Sequence, residues 1–347
     1  MTTVHELLKC LAETEGASDL VITAGVAPQL RIYREMIPIN CPELTALDAE
    51  NLCLSLLNEE ETKQFRTEKE YDTAITVEGV GRFRVNLFQQ QGCFSLVARI
   101  IMEFIPDFDK LRIPKVVQSF AKLKSGLVLF TGPTGSGKTT TLAALVDHIN
   151  NHRPCNIITI EDPIEVIHKP VLATINQREV GTDTASYNHA LRRVLRQAPD
   201  VIMIGEIRDL ESAQAAISLA ETGHLTLATL HTRGAVSAVN RLVDLFPPNQ
   251  TQQVRSQLAS ALSAVVWQQL LPSIDNRGLV LGCEVMVVTP AVRALILNGN
   301  THEIISMLQM GKKYGMCTMD QAVDELVAAG TISSESTGHD IVELLTH

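Results

Sequence analysis

Val4, Leu7, Leu8 and Leu11 recur at intervals of three and four, which places them on one face of a helix over residues 4–14. Ser18-Asp19 breaks that period and introduces a β-like run at 20–22. Runs of strand character follow at 29–32, 71–76, 82–88 and 94–100, around a helix at about 47–57. The pattern predicts a small α+β domain over residues 1–101. Phe104-Ile105-Pro106-Asp107 and Ile113-Pro114 then interrupt it, because proline removes a donor and pushes its predecessor into extended geometry. A linker is expected over 102–114.

From residue 126 the pattern changes. Short, largely apolar runs at 126–131, 156–161, 201–205 and 225–229 alternate with helical segments. Strands with apolar residues at consecutive positions imply burial on both faces, so this half reads as α/β, a parallel sheet between two layers of helix. The second domain is expected over 115–347, with a helical subdomain towards its C-terminus.

The first of these runs leads into Gly132-Pro133-Thr134-Gly135-Ser136-Gly137-Lys138-Thr139, which fits G-x-x-x-x-G-K-[ST] and has the required strand before it and helix after it. Glycines let the backbone curl until successive N–H groups face phosphate oxygens, and the helix N-terminus adds a favourable dipole. Lys138 is expected on the β- and γ-phosphates of ATP, Thr139 on Mg²⁺ through its hydroxyl, and Thr140 among the nucleotide contacts.

Two further strand ends carry carboxylates. Ile202-Met203-Ile204-Gly205-Glu206 places Glu206 where open α/β sheets put their ligand crevice, as a ligand of the Mg²⁺ shell or of the attacking water. Ile158-Thr159-Ile160-Glu161-Asp162-Pro163-Ile164-Glu165 delivers three more. Beside an anionic nucleotide these repel it unless a metal or a proton transfer gives them a task, so Glu161, Asp162 and Glu165 are expected at the site. Spacing does not decide which of Glu161, Glu165 and Glu206 polarises the water. His224 and His231 bracket the strand at 225–229. Over that span a strand is more than about 20 Å long, so the two cannot share one metal. For His231, a γ-phosphate sensor and a structural hydrogen bond remain equal alternatives.

Composition narrows the partners. At 347 residues, 45% hydrophobic and 20% charged, the chain is long enough for two globular domains. A net charge of -10 and only 4% aromatics oppose nucleic-acid binding, which needs basic surface and stacking platforms. The seven cysteines (Cys10, Cys41, Cys53, Cys93, Cys155, Cys283 and Cys317) form no C-x-x-C pair and are expected to be reduced and mostly buried. No apolar run reaches the roughly 18 residues of a membrane span, which predicts a cytoplasmic protein, peripheral at most.

In order, these segments resemble the Walker A, Asp box, Walker B and His box of the secretion ATPases that drive type II secretion and type IV pili. Within them the chain is most similar to the PilT-type pilus retraction ATPases and their PilU-like relatives. Ala17-Ser18-Asp19-Leu20 and Gly81-Arg82-Phe83-Arg84-Val85-Asn86 resemble the family's N-terminal domain, and Ala220-Glu221-Thr222-Gly223-His224 its His box. His231-Thr232 and Gly315-Met316-Cys317-Thr318-Met319-Asp320 extend the likeness.

The resemblance implies a PAS-like domain ahead of a RecA-like P-loop NTPase motor domain, with ATP between them. It implies a Mg²⁺-dependent homohexameric ATPase at the cytoplasmic face of the inner membrane. Membrane association would run through partners alone, a PilC-like platform protein and a paralogous pilus ATPase, and the work would be pulling pilin out of a fibre. Glu165 becomes the general base, Glu206 the Walker B residue, and His224 and His231 coupling or phosphate-sensing residues. Arg82, Arg84 and Arg99 match arginines that reach the γ-phosphate; read without the family, they are edge-strand charges facing water.

One departure stands out. Retraction members carry A-I-R-N-L-I-R-E near the C-terminus, and here Ala291-Val292-Arg293-Ala294-Leu295-Ile296-Leu297-Asn298 replaces the last Arg-Glu pair. An accessory PilU-like motor or an assembly ATPase is therefore the alternative, although the four-cysteine zinc motif typical of assembly ATPases is absent. A RecA-like nucleic-acid translocase is the rival of another class.

Overall fold

The computed structural model describes residues 3–32, 35–101, 105–275 and 278–333. Parts of the expected linker (102–104) and of the expected second domain (276–277 and 334–347) lie outside the described residues. By contacts along the backbone the chain divides into two units, Met1–Phe104 with Glu165–Ile167, and Ile105–Ile164 with His168–His347.

In the first unit, α1 (Val4–Glu13) precedes β1 (Ala17–Ile22), β2 (Gln29–Ile32) and β3 (Glu35–Pro38). Two helices follow, α2 (Ala46–Leu54) and α3 (Glu59–Glu68), and then β4 (Glu70–Val77), β5 (Gly81–Gln90) and β6 (Cys93–Ile101). The described strands form an antiparallel sheet in the order β3-β2-β1-β6-β5-β4. Thr3 and Glu6 close a capping box on α1, and Val4, Leu7, Leu8 and Leu11 are its buried positions, as their spacing predicts. On β5, Phe83, Val85 and Leu87 are buried while Arg84 is exposed, a period of two that sends the arginines to the face opposite the core.

Helix α3 was not legible from apolar spacing. Phe65 is its one buried position, and the helix is set instead by its ends: a capping box between Asn58 and Glu61, and Lys69 in the left-handed region at φ 67°. Such a cap contributes about 1 kcal/mol.

The second unit opens with α4 (Lys115–Ser119), β7 (Gly126–Thr131), α5 (Lys138–His152), β8 (Asn156–Glu161), β9 (Thr174–Glu179) and α6 (Tyr187–Leu191). It continues through β10 (Val201–Ile204), α7 (Leu210–Glu221), β11 (Leu225–Leu230), α8 (Ala235–Asp244) and α9 (Thr251–Ala261). Next come β12 (Leu262–Pro272), β13 (Leu279–Val287), α10 (Pro290–Asn298), α11 (Ile304–Met310) and α12 (Met319–Ala328). The sheet order is β13-β12-β7-β11-β10-β8-β9.

Alternate residues of each central strand feed opposite layers. Leu127, Leu129, Ile202 and Ile204 join one core with α7, α8 and α9, and Val128, Phe130, Val201 and Met203 join another with α5. Both faces are covered, as the largely apolar runs require. The sheet is parallel, as expected, except at one edge, where β13 pairs antiparallel with β12. Strands β12 and β13 were missed because α9 passes into β12 with no turn residue between Ala261 and Leu262, and a short apolar run does not distinguish helix from strand.

Two further expectations meet the structure here. Phe108 and Ile113, from the expected linker, are buried in the α5-side core. Cys53 and Cys283 are buried, but the other five cysteines are only partly covered, so the thiols are not mostly buried; all are free. The apolar shell around Cys53 and Cys283 pushes both thiols up to about 12, since burial disfavours thiolate.

Candidate nucleotide-binding site

The phosphate loop leaves the C-terminal end of β7, and its path depends on glycine. Gly132 has φ 148°, and a Cβ there would run into the carbonyl of Gln268 and the hydroxyl of Ser136. Gly137, at φ 87°, is the N-cap of α5 and makes no side-chain cap, so the backbone donors of the first turn are left for a ligand. Lys138 is buried, and its Nζ donates to the carbonyls of Gly132 and Pro133, each at 2.8 Å. The Ser136 hydroxyl is buried within the loop with no hydrogen-bond partner. Thr139 and Thr140 stand half-buried on the first turn of α5. Beside Gly137 and Thr140 a cleft of about 530 Å³ opens, lined also by Lys110, Arg112, Leu270 and Leu281.

Parallel pairing brings the C-terminal ends of β7, β8, β10 and β11 to one edge of the sheet. There His231 Nε2 lies 3.4 Å from Glu206 Oε1, Arg208 Nε donates to Glu206 Oε2 at 2.8 Å, and Arg208 reaches Asp162 Oδ2 at 3.4 Å. Glu206, Asp162 and His231, far apart in sequence, are thus joined in one chain of polar contacts. Arg208, absent from the sequence reading, is its centre; standing two residues after Glu206, it could have been found as the obvious cation for that carboxylate. Thr131 adds a second tie that was also missed: its hydroxyl donates to the Thr232 carbonyl at 2.8 Å and accepts the Thr232 N–H at 3.0 Å.

Arg208 is more than half exposed, and exposed ion pairs contribute about 0–1 kcal/mol each. With two such pairs, Arg208→Ala should therefore shift the melting temperature by no more than about 4–8 °C. Turnover should fall about tenfold or more through misplacement of Glu206. Calorimetry and phosphate release together check this; a large drop in melting temperature would mean that the pair network is structural.

Glu161 ends β8, one residue before Asp162; it is buried, and its Oε1 accepts from Thr159 Oγ1 at 2.6 Å and Gln177 Nε2 at 3.2 Å. His224 lies elsewhere and needs correction as a phosphate contact. Its carbonyl accepts the Gly126 N–H at 3.1 Å, which fixes it at the start of β7 and β11, a full strand of about 20 Å from the loop that ends β7. Its Nδ1 contacts Thr222 Oγ1 and the Leu219 carbonyl, each at 3.2 Å, so within one subunit it is not a phosphate contact.

Glu165 is exposed, four residues beyond β8, in the segment that groups with the first unit. In that unit Arg84 and Arg99 are directly opposite across β5 and β6. Arg99 donates to Asp19 Oδ1 at 2.8 Å and Arg84 lies 3.8 Å from Asp72, while Arg82 Nε is buried with no hydrogen-bond partner.

Residues 76–337 match the family model described as type II/IV secretion system protein. The chain belongs to this family. Within it, the type IV pilus retraction ATPase PilT of Pseudomonas aeruginosa is 41% identical over 333 residues, 96% of this chain and 96% of its own. The type IV pilus ATPase PilU of the same organism is 41% identical over 331 residues, 95% and 86%. The crystal structure of the pilus retraction motor PilT with bound ADP superposes at a TM-score of 0.90 and 40% identity, covering 100% of both chains. The fold of this family member is thus the RecA-like P-loop ATPase fold, with the phosphate loop at the sheet edge where Glu206, Asp162 and His231 converge.

Proposed function

We propose that this chain hydrolyses ATP as the motor of type IV pilus retraction. The observation that carries the chemistry is the convergence at one sheet edge of a complete phosphate loop with Glu206, Asp162, Arg208 and His231. Relatives named for retraction and for pilus ATPase activity, similar over nearly the full chain, support the biological assignment. Lys138 would turn from the loop carbonyls to the β- and γ-phosphates, and the 530 Å³ cleft beside Thr140 would take the nucleoside.

A divalent cation fits the residues present. Thr139 and Glu206 offer hard oxygen donors, and among the described residues no cluster of three acidic, His or Cys side chains forms a protein cage. That suits Mg²⁺, which binds through one or two protein oxygens and the phosphates and would neutralise charge on the γ-phosphoryl group. We assign Glu165 the proton of the attacking water as it adds to the γ-phosphorus and ADP departs. His231, paired with Glu206, would sense the γ-phosphate. Arg82, Arg84 and Arg99 would meet its charge in an assembled homohexamer; an arginine so placed contributes roughly 10³–10⁵ in rate, or about 4–7 kcal/mol of barrier.

No helix among the described residues is long and apolar enough to cross a membrane. We place the motor at the cytoplasmic face of the inner membrane, held there by a platform protein and working with a paralogous ATPase. An accessory motor is the second reading, favoured by the equal 41% identity to the two pilus ATPases. The departure at Leu297-Asn298 sits on exposed positions of α10, while Val292 and Ile296 keep its core, so it alters a surface and leaves the fold intact. Cells lacking the gene should carry surplus pili that do not retract; bald cells would show an assembly motor instead.

A further inference from the structure

Glu284 belongs to none of the motifs above, yet its carboxylate bridges two helix N-termini. Oε1 accepts the Ala235 N–H at 2.7 Å and Oε2 the Met319 N–H at 3.4 Å, the first residues of α8 and α12. The N-cap of α8 is Gly234, which has no side chain to satisfy the orphan donors of that turn. Glu284 supplies the missing acceptor from a neighbouring strand, and its negative charge is favoured by both helix dipoles. The mostly buried site pushes its carboxyl up, against the two N–H groups that favour the ionised form.

The position of Glu284 across the sheet gives that cap a second meaning. Thr131, Trp267 and Glu284 are direct neighbours in one row across β7, β12 and β13. Thr131 holds Thr232, and Glu284 holds Ala235, so the turn after His231 is fastened at both ends by this row. Next to Glu284, Val285 exchanges backbone hydrogen bonds with Cys317 at 3.0 and 3.2 Å, which docks the entry to α12 on the same strand. The turn after His231, the start of α8 and the start of α12 are thus all tied to β13 at Glu284 and Val285.

We propose that Glu284 is a positioning residue of the ATPase, clamping the turn that follows His231 to the N-terminus of α12 so that the nucleotide site and the C-terminal helices move as a pair. The proposal rests on the reading that ATP is hydrolysed at the phosphate loop.

Glu284→Gln keeps the shape but removes the charge, and its amide group presents donors to one of the two N–H groups. Turnover of assembled protein should fall about tenfold, with KM for ATP and analogue affinity within about twofold of the parent. Thr131→Val releases the other end of the turn, so the two losses should be markedly less than multiplicative when combined. Trp267, the one tryptophan of the chain, supplies a spectroscopic readout from the same row. Its emission should change when a non-hydrolysable ATP analogue binds the parent, and the change should be weakened in Glu284→Gln.

Turnover within twofold of the parent, multiplicative losses, or an undiminished emission change would each overturn the role. Lys138→Ala separates the two levels: if it still hydrolyses ATP, the phosphate-loop reading is what fails. Should Glu284→Gln not fold, Glu284→Asp, which retains the charge on a shorter arm, carries the same comparison, with its turnover between the parent and Thr131→Val if the clamp is real.

Discussion

Lys138→Ala should lose nucleotide binding and turnover together. Lys138 is the cation at the heart of the loop, and its Nζ rests on the Gly132 and Pro133 carbonyls. With ATP bound, that charge meets the β- and γ-phosphates, where negative charge gathers as the bond breaks. Removing one such preorganised donor costs about 10²–10³ in rate, or about 2.7–4 kcal/mol. The fold should survive, since the change is confined to a loop whose Pro133, Thr134 and Gly135 are exposed, so that water can take the place of the ammonium. Titration calorimetry with an ATP analogue and a phosphate-release assay check the result. Lys138→Gln, which can still donate to the two carbonyls, should be nearly as inactive; recovery of activity there would mean that Lys138 shapes the loop and does not serve as a charge.

Glu165→Gln should do the reverse, binding ATP normally while failing to cleave it. The side chain is exposed, so the isosteric change asks nothing of the core. What it removes is the only property a base needs, an unshared pair of adequate basicity, and general-base catalysis contributes about 10²–10⁴. Analogue affinity within about twofold of the parent alongside that loss identifies an interaction made in the transition state. Turnover close to the parent would move the base to Glu206, whose amide variant would also break its contacts to Arg208 and His231.

Structure is legible along the chain wherever a local rule has one outcome. Gly132 to Thr139 follow a strand and precede a helix because the motif chemistry demands both, and the structure places β7 and α5 there. The runs at 126–131, 156–161, 201–205 and 225–229 are strands of one sheet because nothing but two-sided burial accommodates such patterns. The misses have equally local causes. Helix α3 is held by caps and carries one buried residue, and β12 continues α9 without punctuation. Glu161 ends the expected strand, but spacing could not show that its carboxylate is buried against Thr159 and Gln177.

Sequence by itself determined the identity of the phosphate loop, the alternation of strand and helix behind it, and the acidic balance that opposes a nucleic-acid track. These are properties of composition and of neighbours along the chain. Tertiary structure alone decided which charges meet. Glu206, His231, Arg208 and Asp162 join because parallel strands end at one edge, and within one subunit His224 stands at the opposite end because it starts the strand that His231 follows. Glu284 was invisible in the sequence for the same reason. An acceptor for two helix N-termini is defined by where those helices begin in space, and no spacing along a chain records that.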